Sequence, residues 1–342
     1  MTRAPMILFA LASLAPLPLF AAGLGLGGLW VLAVFLYMTA FAALMDQAIP
    51  YVAGDADEGA EFPAADALLV ALAIGHLLAF PVVVWAIAGD SGLGTWEKAG
   101  LFLGAGLWFG QVSNPMAHEL IHRGNRWLFR LGGLVYISML FGHHTSAHRH
   151  VHHRFAASSD DPNTARSGEG FYLFFIRAWT GSFMQGMKME SARGHAVHPY
   201  VWYVGGAAAA LAFGFALAGW GGFLAWAALG LHAQVQLMLS DYVQHYGLQR
   251  ARRADGRLEP VGPRHSWNAP HWFSSAMMLN APRHSDHHAH PARAYPSLRL
   301  PAATDAPMLP WPLPMACTLA LFPPLWKRAI RPHLRPWLIA KA

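Results

Sequence analysis

The chain has 342 residues, 55% of them hydrophobic and 12% charged, with a mean hydropathy of +0.30. A soluble globular protein carries about twice that charged share. Disordered, fibrous and disulfide-rich secreted classes are therefore excluded, and a membrane protein is expected. The formal net charge is +6, and 20 His stand against 1 Cys. A lone Cys317 forms no internal disulfide, zinc ribbon or iron–sulfur cluster. A metal site would have to use imidazole and carboxylate, and an electron carrier built on several Cys would be a separate protein.

A membrane crossing needs roughly 20 mostly apolar residues. In chain order, the first candidate is Met6 to Ala22, followed by a glycine-rich hinge from Gly23 to Gly28. A second apolar run (29–45) ends at Asp46. A cleaved signal peptide, with Arg3 and small residues at Ala21 and Ala22, is the alternative for the first run. The apolar sequence resumes almost at once, which favours a helical hairpin. The third and fourth candidates are Ala67 to Ala88 and Ala99 to Ala117. Trp127 to Phe141 is apolar but short and reads as half-buried or interfacial. Val201 to Trp220 and Gly221 to Leu239 are the fifth and sixth, with a glycine-rich joint between them. Met308 to Trp326 contains five prolines and reads as an interfacial helix with flanking turns.

Of 24 Lys and Arg, 22 lie after residue 117, between Arg123 and Arg193 or between Arg250 and Lys341. The loop after the second run holds Asp55, Asp57, Glu58 and Glu61, but acidic residues weigh little in topology. The positive-inside rule with six crossings puts both termini and both basic segments in the cytoplasm. The expected fold is an all-α integral membrane protein: six transmembrane helices and a His-rich cytoplasmic cap (118–200 and 241–342) in one integrated domain, 1–342. The basic segments suit a headgroup-facing surface, and no nucleic-acid partner is needed.

Spacing gives the histidines meaning. His118 and His122 are four apart in H-E-L-I-H and share one α-helical face. His148, His152 and His153 follow in H-R-H-V-H-H. At α-helical pitch His148 and His152 share a face, and His153 is rotated by about 100°. His284, His287 and His288 form a third cluster in R-H-S-D-H-H. His245 stands alone in D-Y-V-Q-H-Y-G-L, with Asp241 four residues before it and able to fix its tautomer. Nine imidazoles exceed one ion's needs and fit two ions of four or five ligands each. Imidazole suits zinc, copper, iron and nickel alike. His143, His144 and His150 lie off the spacing and suit a supporting role. His76 and His232 lie inside crossings, where an ionisable residue is functional by default. His195, His198, His265, His271 and His333 read as surface residues.

These motifs resemble the histidine boxes of integral-membrane di-iron oxygenases and desaturases. D-Y-V-Q-H-Y-G-L-Q-R (Asp241 to Arg250), Tyr295, Leu298 and P-P-L-W-K-R (Pro323 to Arg328) are similar to alkane 1-monooxygenases. The resemblance covers roughly residues 30–335. It implies a di-iron site held by His118, His122, His148, His152, His153, His245, His284, His287 and His288, with Glu119, Asp241 and Asp286 supporting it. It implies two non-haem irons, O2 as co-substrate, no haem or flavin in this chain, and hydroxylation of the terminal methyl of an alkane or alkyl chain. Electrons would come from a rubredoxin-type or ferredoxin-type donor and its reductase. The implied location is the cytoplasmic (inner) membrane. Ala147 stands where the family usually has Glu, and Asp241 and Gln244 replace its usual Asn and Glu.

An alkane offers only shape and about 0.8 kcal/mol per buried CH2, so the expected route runs from the bilayer between helices. Trp30, Phe35, Tyr37, Phe80 and Trp108 are candidate liners of it, with ordinary packing as the plainer reading of each. The same metal set suits a xylene-type monooxygenase, a fatty acyl desaturase or a carotenoid hydroxylase. A membrane zinc protease would use His118 and His122 with Glu119 as general base, and leaves six clustered His unexplained. A metal transporter would place its ligands at mid-membrane.

Overall fold

The computed structural model describes residues 3–49, 51–57 and 59–338. Glu58 and Lys341, named above, lie outside the described residues. The described residues form helices and no strand. Four helices are long and apolar enough to cross a membrane: α1 (Met6–Leu26), α2 (Gly28–Ala48), α3 (Ala65–Ala88) and the long α8 (Pro199–His245). This is a multi-pass membrane protein. Residues 95–121 add a continuous helix, α4, with Lys98 near its start and polar residues along its second half.

α1 runs four residues past its expected end at Ala22, so the hinge shrinks to Gly27 and Gly28. Both have positive φ, +61° and +57°, which glycine adopts at little cost. Glu97 locks this corner: its carboxylate accepts the Gly28 N–H and, at 2.6 Å, the Gly94 N–H ahead of α4. α8 contains both expected crossings. It reverses at Ala218 and Gly219, whose φ/ψ values are non-helical. The two arms meet where Gly214 and Gly222 let backbone approach backbone. Phe213 of one arm packs edge-on against Trp226 of the other, with ring centroids 5.9 Å apart. Thirteen residues of straight helix would separate them by about 20 Å, so the chain doubles back.

The apolar segment after residue 126 is helix α5 (Arg126–Ser138), capped by the Asn125 side chain on the Trp127 N–H. It packs on the end of α4, with Gly132 pressed against the Ala117 carbonyl. Residues 144–155 form α6, and Phe171–Ser191 form α7. α7 exposes Tyr172, Leu173, Ile176 and Met184 on one side, an apolar stripe that suits a membrane surface. Short helices α9 (Trp272–Met277) and α10 (His284–Ala289) follow. The proline-rich segment gives two helices, α11 (Leu313–Ala320) and α12 (Pro323–Leu334). α11 is not merely interfacial: Ala316 and Ala320 are fully buried, and it packs against α8.

Two tethers bind the cap to the membrane half. Asp46, at the end of α2, accepts the N–H groups of Phe273 (2.8 Å) and Ser274 (3.2 Å), so a remote carboxylate caps α9. Arg283, just before α10, pairs with Asp55 at 2.6 Å.

The glycine contact in α8 yields a test. A Cβ at position 222 would overlap the Gly214 carbonyl, so Gly222→Val should destabilise by roughly 1–3 kcal/mol. Gly205, on the same helix with open space around it, should tolerate Ala. A thermal melt of the detergent-purified protein separates the two variants, and equal melting temperatures would contradict the hairpin.

Candidate metal centre

Each histidine cluster is positioned by a different backbone device. His118 and His122 sit on the last turn of α4, one turn apart on one face. His245 ends α8 and is fully buried. His284 and His288 are one turn apart on α10. The second cluster departs from α-helical pitch, because His148–His152 is a π-helical turn inside α6. In a π turn the i, i+5 pair shares a face. His148 therefore aligns with His153, not with His152 as α-helical spacing predicts, and their Nε2 atoms are 2.9 Å apart.

The nine side chains fall into two adjacent groups. His118, His122, His148, His153 and His287 form one, and His152, His245, His284 and His288 the other. Within each group the ligand nitrogens lie within 4.8 Å of one another. Nε2 of His148 is 2.8 Å from that of His118, and Nε2 of His287 is 3.1 Å from that of His153. In the second group, Nε2 of His284 is 3.0 Å from His245 and 3.1 Å from His288. Rings of the two groups touch, with His153 and His288 centroids 4.8 Å apart.

This arrangement fits metal ions by three tests. Two imidazole nitrogens each about 2.1 Å from one ion and at right angles stand about 3 Å apart, the spacing observed. The Nε2 atoms of His122 and His152 are buried without a hydrogen-bond partner among the described residues; such orphans cost about 1–3 kcal/mol unless something accepts their lone pairs. Third, burial holds most of the imidazoles neutral; His152 alone of the nine is raised, its burial being outweighed by the carboxylate of Asp161. His118 is pushed down to about 3, and His122, His148, His153, His284, His287 and His288 fall well below the ordinary histidine range. A neutral imidazole is the form that binds a cation.

The surrounding carboxylates differ from expectation. Asp241 does not reach Nδ1 of His245, which has no partner among the described residues. It accepts instead from the Asn163 amide at 2.6 Å. Asp286 turns outward to Arg293 (2.6 Å) and the Arg299 N–H (2.8 Å), which orders the loop after α10. Glu119 accepts the Tyr295 N–H at 3.1 Å and lies 3.6 Å from Arg123. Burial raises Glu119 to about 7 against the pull of Arg123 and that N–H.

One carboxylate absent from the sequence reading touches the centre directly. Asp161 is buried, and its Oδ2 lies 2.9 Å from Nδ1 of His152. Thr164 Oγ1 donates to the same oxygen at 2.7 Å, and the Asn163 N–H to Oδ1 at 3.0 Å. Burial raises this carboxyl, yet His152 and the hydrogen bonds outweigh it and the net shift is downward. The ionised Asp161 thus fixes His152 with Nδ1 protonated and Nε2 facing its group. The S-D-D-P-N-T turn, which places Asp161 eight residues after His153, was the available signal. His144 is buried beside His148, and His143 packs on Trp179 and Phe183. His76, within α3, hydrogen-bonds Ser138 Oγ at 2.8 Å, away from the groups.

A small chamber of about 60 Å³ adjoins the histidines, lined by His118, His148, His284, His287, Asn114 and Tyr136 among others. Beyond it a groove of about 790 Å³ runs between α2 and α11, with Phe35, Met38, Leu107, Leu239, Met315 and Leu319 in its walls. Gln111, Gln236, Pro314 and Cys317 line both spaces. Gln111 Nε2 donates to Gln236 Oε1 at 3.3 Å across that boundary. The groove's outer end reaches Phe322 and Leu325, each more than half exposed. Of the five expected liners only Phe35 serves. Phe80 and Trp108 are core, packed about His76. Tyr37 donates to the Ala12 carbonyl, and Trp30 is exposed.

Comparison with known proteins agrees with this geometry. The fatty acid desaturase family matches residues 94–318. Alkane 1-monooxygenase 1 of Pseudomonas aeruginosa is 30% identical over 267 residues, covering 75% of this chain and 69% of that protein. Alkane 1-monooxygenase of Pseudomonas putida is 33% identical over 282 residues, covering 77% and 66%. The xylene/toluene monooxygenase hydroxylase component of Pseudomonas putida is 29% identical over 252 residues, covering 70% and 66%. With nine histidines gathered into two groups at the end of a membrane helical bundle, the chain belongs to the fatty acid desaturase family and is a relative of the alkane 1-monooxygenases.

Proposed function

We propose that this protein is a membrane non-haem di-iron monooxygenase that hydroxylates the terminal carbon of an alkane or alkyl chain. The observation that carries the reading is the pairing of the two histidine groups with an apolar groove open toward lipid. His118, His122, His148, His153 and His287 would hold one iron, and His152, His245, His284 and His288 the other. The chemistry such a pair supplies when bound is reduction of O2 with insertion of one oxygen atom into a C–H bond, the second leaving as water. Two electrons are needed per turnover. The single buried Cys317 cannot carry them, so a rubredoxin-type or ferredoxin-type donor with its reductase is the expected partner.

The chain's own residues bind and orient. The groove walls are mostly apolar, and burial against them gains about 0.8 kcal/mol per CH2. The groove leads the chain end past Gln111 and Gln236 to the chamber. Asp161 holds His152 in one tautomer, and Asp241 steadies the Asp161 loop through Asn163. The five imidazoles of the first group exceed the three protein ligands of catalytic zinc, which argues against the protease reading. We read α1 to α4 and the two arms of α8 as six crossings of the cytoplasmic membrane. Both termini and the cap (118–200 and 241–342) then face the cytoplasm in a single integrated domain.

Three outcomes test this reading. Anaerobically purified protein should contain two irons per chain, and His245→Ala should lose iron and activity together. Zinc at full occupancy, or full iron loading in that variant, contradicts the assignment. Products from alkanes, fatty acids and alkylbenzenes with a reductant system, read by mass spectrometry, should be primary alcohols; benzylic alcohols alone would favour the methyl-aromatic reading.

Asp161→Asn should reduce iron affinity or turnover by about 10–100-fold, whereas Asp160→Asn, at an exposed surface pair with Arg252, should change neither. Metal titration with an optical readout distinguishes the two.

Gln236→Ala should widen the path at the chamber mouth. The expected result is subterminal alcohols appearing beside the primary product, with iron content unchanged. An unaltered product ratio would remove Gln236 from the substrate path.

A further inference from the structure

A second cavity, of about 630 Å³, lies on the other side of α6 and is not explained by the metal centre. Its walls come from α5, α6, the end of α7 and the start of α8, where α8 enters its apolar stretch. Arg130, Arg149 and Arg193 line it together with Leu134, Ile137 and Trp202. The one acid in its wall, Glu190, is buried and already engaged. It accepts from Ser146 Oγ at 2.5 Å and pairs with His195 at 2.7 Å and with His150 and Arg193 at 3.5 Å each.

Arg130 and Arg149 are therefore left for something else. Neither forms an ion pair among the described residues. Each is oriented by an aromatic face, Arg130 over Trp127 at 5.2 Å and Arg149 over Phe129 at 4.9 Å. Aromatic stacking aims a guanidinium without neutralising it. Thr145 Oγ1, buried at the same wall, also has no hydrogen-bond partner among the described residues. The cavity's other edge is apolar and open: Leu134, Val197 and Trp202 are all about half exposed or more. Trp127 and Trp202 mark the interfacial level of a bilayer.

A small anion would satisfy the arginines and leave the apolar edge bare. A zwitterionic lipid would cover the edge and bring no net charge. One anionic glycerophospholipid meets both demands. We propose that this cavity seats such a lipid, its phosphate at Arg130 and Arg149 and its acyl chains along Leu134, Ile137 and Trp202. Basic pockets between membrane helices on the cytoplasmic side bind anionic headgroups by this chemistry. Thr145 and Ser146 in the wall stand only a few residues before His148, so the lipid would brace the helix that carries the second histidine cluster.

Native mass spectrometry of the full chain, with phosphatidylglycerol and phosphatidylcholine supplied together, tests the seat. The wild type should retain one phosphatidylglycerol in preference to phosphatidylcholine. Each arginine near the surface contributes about fivefold to that preference, so Arg130→Gln should lower it about fivefold and Arg130→Gln with Arg149→Gln about 25-fold. The double variant should also lose the rise in melting temperature that phosphatidylglycerol gives the wild type. Arg253→Gln with Arg257→Gln removes the same charge from an exposed loop and should leave the preference intact. An equal loss in that control would mean bulk attraction and overturn the site. So would an unchanged preference in Arg130→Gln, whose exposed position spares the fold. Displacement of the lipid by millimolar inorganic phosphate would show an anion site without lipid selectivity, which also overturns the proposal.

Discussion

Nine imidazoles converge on two small buried volumes, and the rest of the structure answers to that convergence. Nitrogens 2.8 to 3.1 Å apart repel when both present lone pairs and cannot all be satisfied by sharing protons. Such a cluster is unfavourable on its own and favourable only around cations, so its geometry must be imposed by elements that are stable for other reasons. Those elements are the membrane helices. α4 and α8 bring His118, His122 and His245 to one end of the bundle through packing that involves none of the nine clustered histidines, only His232 against Phe102 and Gly106. The cap is then tied to that frame at Asp46 and Asp55, far from the cluster in sequence. The metal centre borrows its rigidity from the bilayer half.

The same frame explains where polar residues are tolerated inside the apolar helices. Asn114 bridges the Gly110 and Ala233 carbonyls, at 3.0 and 2.9 Å, and so joins α4 to α8 just before the first histidine pair. Gln111 donates to Gln236 across the chamber mouth. Asn114, Gln111 and Gln236 are each paired with a neighbouring helix or border a cavity, as hydrocarbon surroundings demand. Away from the site the same helices carry alanine, leucine and glycine, and their close contacts are steric.

Much of this was legible in sequence because regular pitch makes spacing informative. Four-residue steps in H-E-L-I-H and in His284 to His288 read directly as shared faces. The apolar runs read as helices, and the glycine-rich joint after Trp220 lies one residue from the observed reversal at Gly219. What could not be read depended on tertiary contact. Asp161 approaches His152 only because the loop after α6 folds back under Thr164 and Asn163, and no periodicity encodes a loop's return. Asp241 lies one turn before His245, yet its partner is an asparagine 78 residues away. The stripe on α7 was hidden because Arg177 and Lys188 interrupt its hydropathy, although Arg177 turns inward to Glu169.

The π turn at His148–His152 shows how one backbone irregularity divides the ligands. At α-helical pitch His148 and His152 would stay together and His153 would swing away. With one more residue in the turn, His148 and His153 stay together and His152 is the one released to the second group. The adjacent pair His152–His153 is thus the point where one helix serves two sites. The irregular turn is held from both ends, by Ser146 on Glu190 and by His152 on Asp161. These anchors lie on opposite sides of α6: Glu190 in the wall of the arginine-lined cavity, Asp161 among the loops of the cap. Relaxing either anchor would let the turn revert to α-helical pitch, and the partition of five and four imidazoles would change without the loss of a single histidine.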